Sequence, residues 1–274
     1  QVLPALRLFA SQIATVVQAN RILARRLAYE RLVQEFTLAG QIQSSLLPAQ
    51  MPQLPGWQLE VVLKSALETS GDFYDCIALP DGRLGIVIAD VSDKGLGAAL
   101  YMSLSRTLLR IYATQKPDPA EVLELTNRHI LQDAHAGFFI TVFYGVLDPL
   151  TGVLTYSNAG HLPPVVLYHQ PELALTLLPR TGMALGVCES ARWDTSTLQL
   201  SRGDALVATT DGVVDAENAE GDFFGAERLY EVLKLHAGQP AKVIQQAVQD
   251  AVTGFMLEVP QHDDMTVMVV ARFD

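Results

Sequence analysis

The tripeptide Pro80-Asp81-Gly82, set between the apolar runs Phe73 to Leu79 and Leu84 to Val91, constrains this chain more than any other feature. Proline presets one backbone dihedral and glycine supplies a positive one, so two strands joined this way fold back as a hairpin. Facing residues of a hairpin have a constant summed number, and a turn centred between Asp81 and Gly82 sets that sum at roughly 163. Asp72 and Asp90 sum to 162 and therefore face each other where the hairpin opens. Gly71 beside them lets the backbone approach closely. Two carboxylates that close repel unless a proton or a cation lies between them. On this pair alone, a solvated hairpin end and a divalent cation site are both open.

Further acidic positions bear on that choice. Thr210-Asp211-Gly212 follows the apolar run Ala205 to Thr209, and Asp263-Asp264 precedes the run Met265 to Phe273. Taken singly, Asp-Gly after a strand is an ordinary turn. Taken together, carboxylates at the ends of several core strands can converge on one edge of a sheet, where they make an oxygen-only site for two hard cations. The charge balance agrees: 19 Lys plus Arg stand against 30 Asp plus Glu, a net −11. Duplex nucleic acid is excluded as a natural partner, because binding it needs cationic side chains to replace condensed counterions. An anionic substrate would instead be held through metal ions that invert the local sign.

From Leu3 to Leu47 only Pro4 and Gly40 punctuate a helical pattern. Leu6, Phe9, Ile13, Val16, Leu23 and Leu27 recur in alternating steps of three and four, with Asn20 at the missing position, as in about three heptads of coiled coil. The step from Leu27 to Leu32 is five, and the pattern resumes through Phe36, Ala39, Gln43 and Leu46. Such a helix either packs on its own domain or dimerises and carries a signal. A polar residue on the seam and a slip in phase favour the second. Pro48, Pro52, Pro55 and Gly56 then divide the chain into an N-terminal helical linker, residues 1–48, and one domain, residues 49–274.

Within that domain, strand patterns fall at 58–63, 73–79, 84–91, 140–147, 153–157, 165–168, 197–200, 205–209 and 265–273, and helical ones at 95–114, 119–132, 226–235 and 241–255. Strands joined by tight turns, with helices inserted in pairs, predict an α+β fold with antiparallel sheets. At 49% hydrophobic residues there is material for a full core. The two cysteines, Cys76 and Cys188, exclude a disulfide framework and place the chain by default in a reducing cytoplasm. Cys76, Trp57 and Trp193 read as core residues. No apolar run approaches the ~20 residues that cross a bilayer, and no signal peptide is expected. The initial Gln1 fits a piece of a longer chain.

Five segments, Ser70-Gly71-Asp72-Phe73-Tyr74-Asp75, Ala89-Asp90-Val91-Ser92-Asp93-Lys94-Gly95, Ser157-Asn158-Ala159-Gly160-His161, Thr210-Asp211-Gly212 and Asp263-Asp264-Met265-Thr266, carry a resemblance. In order and spacing they resemble the motif series of the metal-dependent type 2C (PPM) protein phosphatases, in the bacterial branch typified by the SpoIIE and RsbU regulators of sporulation and general stress. The resemblance covers about Leu46 to Arg272. It implies a four-layer αββα sandwich, two antiparallel sheets flanked by helices and preceded here by the long N-terminal helix. It also implies two Mn²⁺ or Mg²⁺ ions, with Asp72 and Asp90 as ligands, Asp90 bridging, the Val91 carbonyl adding a backbone ligand, and Asp211 and Asp263 completing the second ion's shell. Asp264 is left to a supporting role or a hydrogen bond. The implied reaction is hydrolysis of phosphoserine or phosphothreonine on a regulatory protein of the anti-anti-sigma type, and the implied order is sensor domain, helical linker, phosphatase.

The sequence departs from the branch pattern at Ser70 and Asp93, both usually glycine, and Ser92 stands where some eukaryotic relatives carry a histidine. Lys94, at the start of the helix near Gly95, is a candidate contact for substrate phosphate. His161 reads as part of a structural turn, bonded to backbone. Two other functions compete: a catalytically weak module that grips a phosphoprotein, and a nucleotidyl cyclase, which also uses paired aspartates on a hairpin. The cyclase reading leaves Asp211 and Asp263 without a role.

Overall fold

The computed structural model describes residues 2–133, 137–169 and 173–273; in the first helix, side chains are described from Gln12 onward, Ala14 excepted. In chain order the elements are α1 (Val2–Leu46), β1 (Trp57–Lys64), β2 (Phe73–Ala78), β3 (Leu84–Val91), α2 (Leu96–Ala113), α3 (Pro119–Asp133), β4 (Ile140–Leu147), β5 (Val153–Ala159), β6 (Val165–Tyr168), β7 (Ala174–Leu177), β8 (Ser196–Gln199), β9 (Ala205–Thr209), α4 (Asp211–Val214), α5 (Gly225–Leu235), α6 (Ala241–Met256) and β10 (Met265–Arg272). They build two five-stranded sheets, β1-β10-β9-β6-β7 and β2-β3-β4-β5-β8. Every strand pair is antiparallel.

The layer order follows from how the apolar residues are shared. Along β10, Met268 and Val270 join Ile86, Ile88, Phe143 and Leu206 between the sheets. The alternate residues Val267, Val269 and Ala271 join Leu229 and Leu233 of α5 and Ile244, Val248 and Val252 of α6 on the outer face. The other sheet does the same, packing Val87, Val142 and Tyr144 under Met102 and Leu109 of α2 and Leu123 and Ile130 of α3. Both faces of the central strands are thus buried, which is why they read as continuous apolar runs and not as strict alternation. The expected αββα sandwich is what forms. Two elements escape the sequence pattern: β7 is a short, largely exposed edge strand, and α4 is a single turn following β9 directly. Among the described residues no helix is long and apolar enough to cross a membrane.

Helix α1 uses two faces. Val33, Phe36, Ala39, Gly40 and Gln43 are its partly or fully buried positions, and this half packs on α2. Ile13, Val16, Leu23 and Leu27 are exposed, whereas the Leu6 and Phe9 side chains lie outside those described. At roughly 100° per residue the two sets fall on nearly opposite sides of the helix. The slip after Leu27 therefore marks the point where the apolar stripe rotates onto the chain's own domain. Leu46, grouped by pattern with the second set, stays exposed, and Gly40 takes a buried place instead.

Candidate metal centre

The hairpin forms as the Pro-Asp-Gly turn dictates, with one adjustment. The Leu79 amide donates to the Arg83 carbonyl at 2.9 Å and the Gly82 amide to the Leu79 carbonyl at 3.1 Å, closing a loop in which Gly82 is left-handed at φ 84°. The register pairs Phe73 with Ala89 and Ala78 with Leu84, so the turn is centred on Asp81 and not between Asp81 and Gly82. Continued one pair outward, that register sets Asp72 opposite Asp90. The Val91 amide donates to the Gly71 carbonyl at 3.4 Å, and a Cβ on residue 71 would stand 2.9 Å from the Val91 carbonyl oxygen.

Asp72 is buried at 1% exposure and tied across the sandwich. The Thr210 and Thr266 hydroxyls, at the ends of β9 and β10 in the opposite sheet, donate to its Oδ2 at 2.7 and 2.6 Å. Only Oδ1 is left for Asp90 or a cation. Asp264 anchors the loop that carries Asp72, accepting from the Ala66 amide, the Ser70 hydroxyl and the Gly71 amide, each at 2.8 Å. The departure at Ser70 is structural, since its Oγ also accepts the Asp72 amide at 3.1 Å.

Burial and crowding shape the charges here. Asp72 is pushed well above the carboxylate range, by burial first and the Asp90 charge second. Asp90 is pushed up to about 7 by burial and then by Asp211, Asp263 and Asp264, while a hydrogen bond with Asp72 pulls the other way. Asp211, the first residue of α4, is raised by burial, Asp263 and Asp215. The four predicted ligands, scattered over the sequence, thus meet in one electrostatic cluster, a grouping the cyclase reading does not need. Asp215, one helical turn after Asp211, belongs to the same cluster and was not anticipated; its spacing of four within an apolar turn was the available signal.

The two halves of the cluster are not equally closed. Among the described residues, no three His, Cys, Asp or Glu side chains converge at metal-holding spacing. Asp263 is drawn outward: its Oδ2 lies 3.1 Å from the Lys94 ammonium, and both side chains are 45% exposed. Lys94 also donates to the His262 carbonyl, so its charge is already engaged by protein groups. The donor set still fits hard divalent ions, which take carboxylate and carbonyl oxygens, bind through one or two carboxylates and keep several waters. Such charge also relieves the repulsion that, after burial, raises Asp72 and Asp90. Asp93 faces solvent with left-handed backbone at φ 72°, the conformation that makes glycine usual there.

The remaining sequence candidates are placed as follows. His161 is buried, held neutral with a pKa of about 3 by burial and by the Arg180 charge; its ring bonds the Thr141 hydroxyl, not backbone alone. Cys76 is half-buried in β2, packed against the core between the sheets, its thiol pushed up to about 12 by burial and by the Asp75 charge. Trp57 and Trp193 are core residues whose indoles donate to the carbonyls of Pro149 and Met183.

With this geometry in hand, comparison with known proteins gives a consistent answer. Residues 80–273 match the family profile of Stage II sporulation protein E. The chain is 34% identical to Protein IcfG of Synechocystis over 87% of its length, and spans 41% of that protein. It is 28% identical to the phosphoserine phosphatase RsbU of Bacillus subtilis, over 89% of this chain and 71% of RsbU. The SiaA-PP2C domain of Pseudomonas aeruginosa superposes with a TM-score of 0.78 at 23% identity, covering 90% of this chain and 99% of that one. The catalytic domain of the phosphatase PstP, solved with two manganese ions, shares the fold at a TM-score of 0.57 and 16% identity, over 80% and 99% of the two chains. A sandwich whose strand ends gather these carboxylates, matched over most of its length, leaves one assignment: the chain belongs to the SpoIIE family of PP2C-like phosphatase domains.

Proposed function

We propose that this chain hydrolyses phosphoserine or phosphothreonine on a regulatory protein of the anti-anti-sigma type, using two Mn²⁺ or Mg²⁺ ions. The observation that carries the reading is that Asp90 feels the charges of Asp211 and Asp263, and Asp72 that of Asp90, so carboxylates from distant strand ends share one field, where burial first and neighbouring charge second raise Asp72, Asp90 and Asp211. When bound, such ions offset charge on the phosphoryl oxygens and acidify a water for in-line attack on phosphorus. The protein's part is to hold and orient. Asp72 offers Oδ1 because Thr210 and Thr266 occupy Oδ2. Asp90 would bridge, the Val91 carbonyl would add a backbone ligand, and Asp211 and Asp263 would serve the second ion. Asp264 and Ser70 keep the Asp72 loop in place, as positioning residues. Cys76, half-buried and with its thiol raised to about 12, takes no part.

The test is phosphate release from a phosphorylated anti-anti-sigma-type protein during a Mn²⁺ titration, with parent protein and Asp211→Asn. Metal-dependent turnover that chelation abolishes and that Asp211→Asn lowers about ten- to hundredfold at limiting Mn²⁺, with the fold retained, supports the reading. Stoichiometric binding without turnover would establish the weak gripping module instead.

The same proposal extends to regulation. Residues 1–48 act as a helical linker following an upstream sensor, and residues 49–274 form the phosphatase domain. The exposed stripe at Ile13, Val16, Leu23 and Leu27 fits a homodimeric coiled coil, with Asn20 setting register. The opposite face of the same helix reaches the catalytic loop: the Gln43 amide donates to the Ser70 carbonyl and its Oε1 accepts the Ser70 amide. A change of helix packing would therefore be felt two residues from Asp72. The protein would work in the cytoplasm, on a stress-response pathway. A chain starting near Ala49 should be monomeric and unregulated; one that dimerises and responds like the full chain sinks the linker role.

A further inference from the structure

The Ser157–His161 segment is the one motif left without a task, and its buried histidine stands beside the carboxylate cluster. Asp90 and Thr141 are directly paired across β3 and β4. Ile88 and Phe143, the preceding pair, both point between the sheets, so by strand alternation Asp90 and Thr141 share that face. Side chains so paired have Cβ atoms about 4.5–5.5 Å apart. Thr141 also meets His161, 1% exposed, whose Nδ1 lies 2.9 Å from Thr141 Oγ1. Arg180 Nε donates to the His161 carbonyl at 3.1 Å and fixes the segment's backbone.

The tautomer follows from what surrounds the ring. Nε2 is buried with no hydrogen-bond partner; the Thr209 backbone acts on the ring in the sense of an acceptor, and with Nδ1 engaged by Thr141 Nε2 is the nitrogen left to meet it. A neutral imidazole facing an acceptor at Nε2 carries its proton there, which leaves Nδ1 as a lone pair. Thr141 must then donate its hydroxyl hydrogen to Nδ1 and not to Asp90, and its oxygen lone pairs are left to accept.

We propose that His161 is a positioning residue: it holds the Thr141 hydroxyl as an acceptor toward the Asp72–Asp90 cluster, where Thr141 takes hydrogens from water that a divalent ion brings in. This rests on the carboxylates being a cation site. A donor hydroxyl at Thr141 would bond Asp90 and compete with an ion for its oxygen; an acceptor leaves that oxygen free and orients the ion's water. Partners at this remove from an ion typically carry ten- to hundredfold of metal affinity.

Two measurements test it on the full chain. Long-range ¹H–¹⁵N correlation of the histidine rings, with His161 assigned by its loss in His161→Asn, should show a neutral ring protonated at Nε2. A ring protonated at Nδ1, or doubly protonated near neutral pH, overturns the proposal. Mn²⁺ binding by electron paramagnetic resonance should be retained within about threefold in Thr141→Ser, and in His161→Asn, whose Oδ1 keeps an acceptor at the Nδ1 position. It should weaken roughly tenfold or more in Thr141→Val and His161→Leu. Thermal melts of each metal-free variant identify a folding defect, and where a disruptive variant unfolds, the conservative pair decides between the outcomes. Unchanged Mn²⁺ affinity in folded Thr141→Val overturns the role of Thr141. A parent that binds no Mn²⁺ overturns the cation reading itself, whichever tautomer is seen.

Discussion

Asp90 lies near the end of β3 and Asp72 one residue before β2, in register with it; Asp72 is buried and braced by hydroxyls from the opposite sheet and Asp90 is half-buried, while Asp211 and Asp263 sit on a one-turn helix and a loop, partly open to water. The first half is built in advance of any ligand and bears the cost, since burial and repulsion hold its carboxyls well above their ordinary range. The second half bears less and is less set: Asp263 leans outward on Lys94, both side chains half-exposed. The difference separates a permanent half-site from one that an incoming charge must assemble.

Asp90→Asn should break the contrast most severely. If Asp90 bridges as proposed, losing its carboxylate removes several kcal/mol of charge stabilisation, roughly 10³-fold in phosphate release, while the metal-free protein gains roughly 1–3 kcal/mol of stability near pH 8 because a strained charge is gone. Both are readable, by turnover assay and by denaturant melts. Activity lost together with stability would show Asp90 to be a structural residue.

Asp211→Asn should cost less, about ten- to hundredfold in turnover, the effect of about 1–3 kcal/mol, and part of it should return at high Mn²⁺. That recovery sharpens the contrast, because only the unset half can be filled by mass action. Equal, unrecoverable losses at Asp90 and Asp211 would mean that the two halves form one site.

How far the sequence discloses this depends on which half is in view. The Pro80-Asp81-Gly82 turn reports its own geometry, so the facing of Asp72 and Asp90 is legible even though the centre falls half a residue from where the turn type suggested. The apolar strand runs are legible for the same local reason. What ties the halves together is long-range: the Thr210 and Thr266 hydroxyls on Asp72, the three donors on Asp264 and the Lys94–Asp263 pair all join residues more than 130 positions apart. No local pattern encodes those contacts, and the motif resemblance supplied only the list of ligands. Strand β7 lies in a short apolar run, Leu173 to Leu178, that the strand reading passed over, and it sits largely exposed at a sheet edge.

The pH dependence of metal stabilisation separates the halves further. Asp90 is raised to about 7, so the folded state holds extra protons between the ordinary carboxylate range and pH 7. Its contribution to metal-free stability is present at low pH and is lost as pH rises through 7. Divalent ions compete with those protons. The Mn²⁺-induced rise in melting temperature should therefore be larger at pH 8 than at pH 6, with apparent affinity falling about tenfold per unit below pH 7. A pH-independent Mn²⁺ shift would mean that the ion binds only where the carboxylates are already ionised, on the exposed side.

The smallest effect is expected at Lys94. Its bond to Asp263 joins two half-exposed side chains, and such pairs contribute about 0–1 kcal/mol, so Lys94→Ala should leave stability nearly unchanged. The same substitution releases Asp263 to the cluster and removes a positive charge from beside it. Both effects favour a divalent ion, and on the 0.5–1 kcal/mol scale of the lost pair the Mn²⁺ affinity should improve roughly two- to fivefold at low salt. Screening should erase most of that gain by about 1 M salt, where the Debye length falls to about 3 Å. If Lys94 instead leaves Asp263 when substrate arrives and grips phosphate, the variant will show a raised KM for the phosphoprotein with unchanged Mn²⁺ affinity. Titrating metal and substrate separately in Lys94→Ala thus decides whether this lysine restrains the exposed half of the site or serves it.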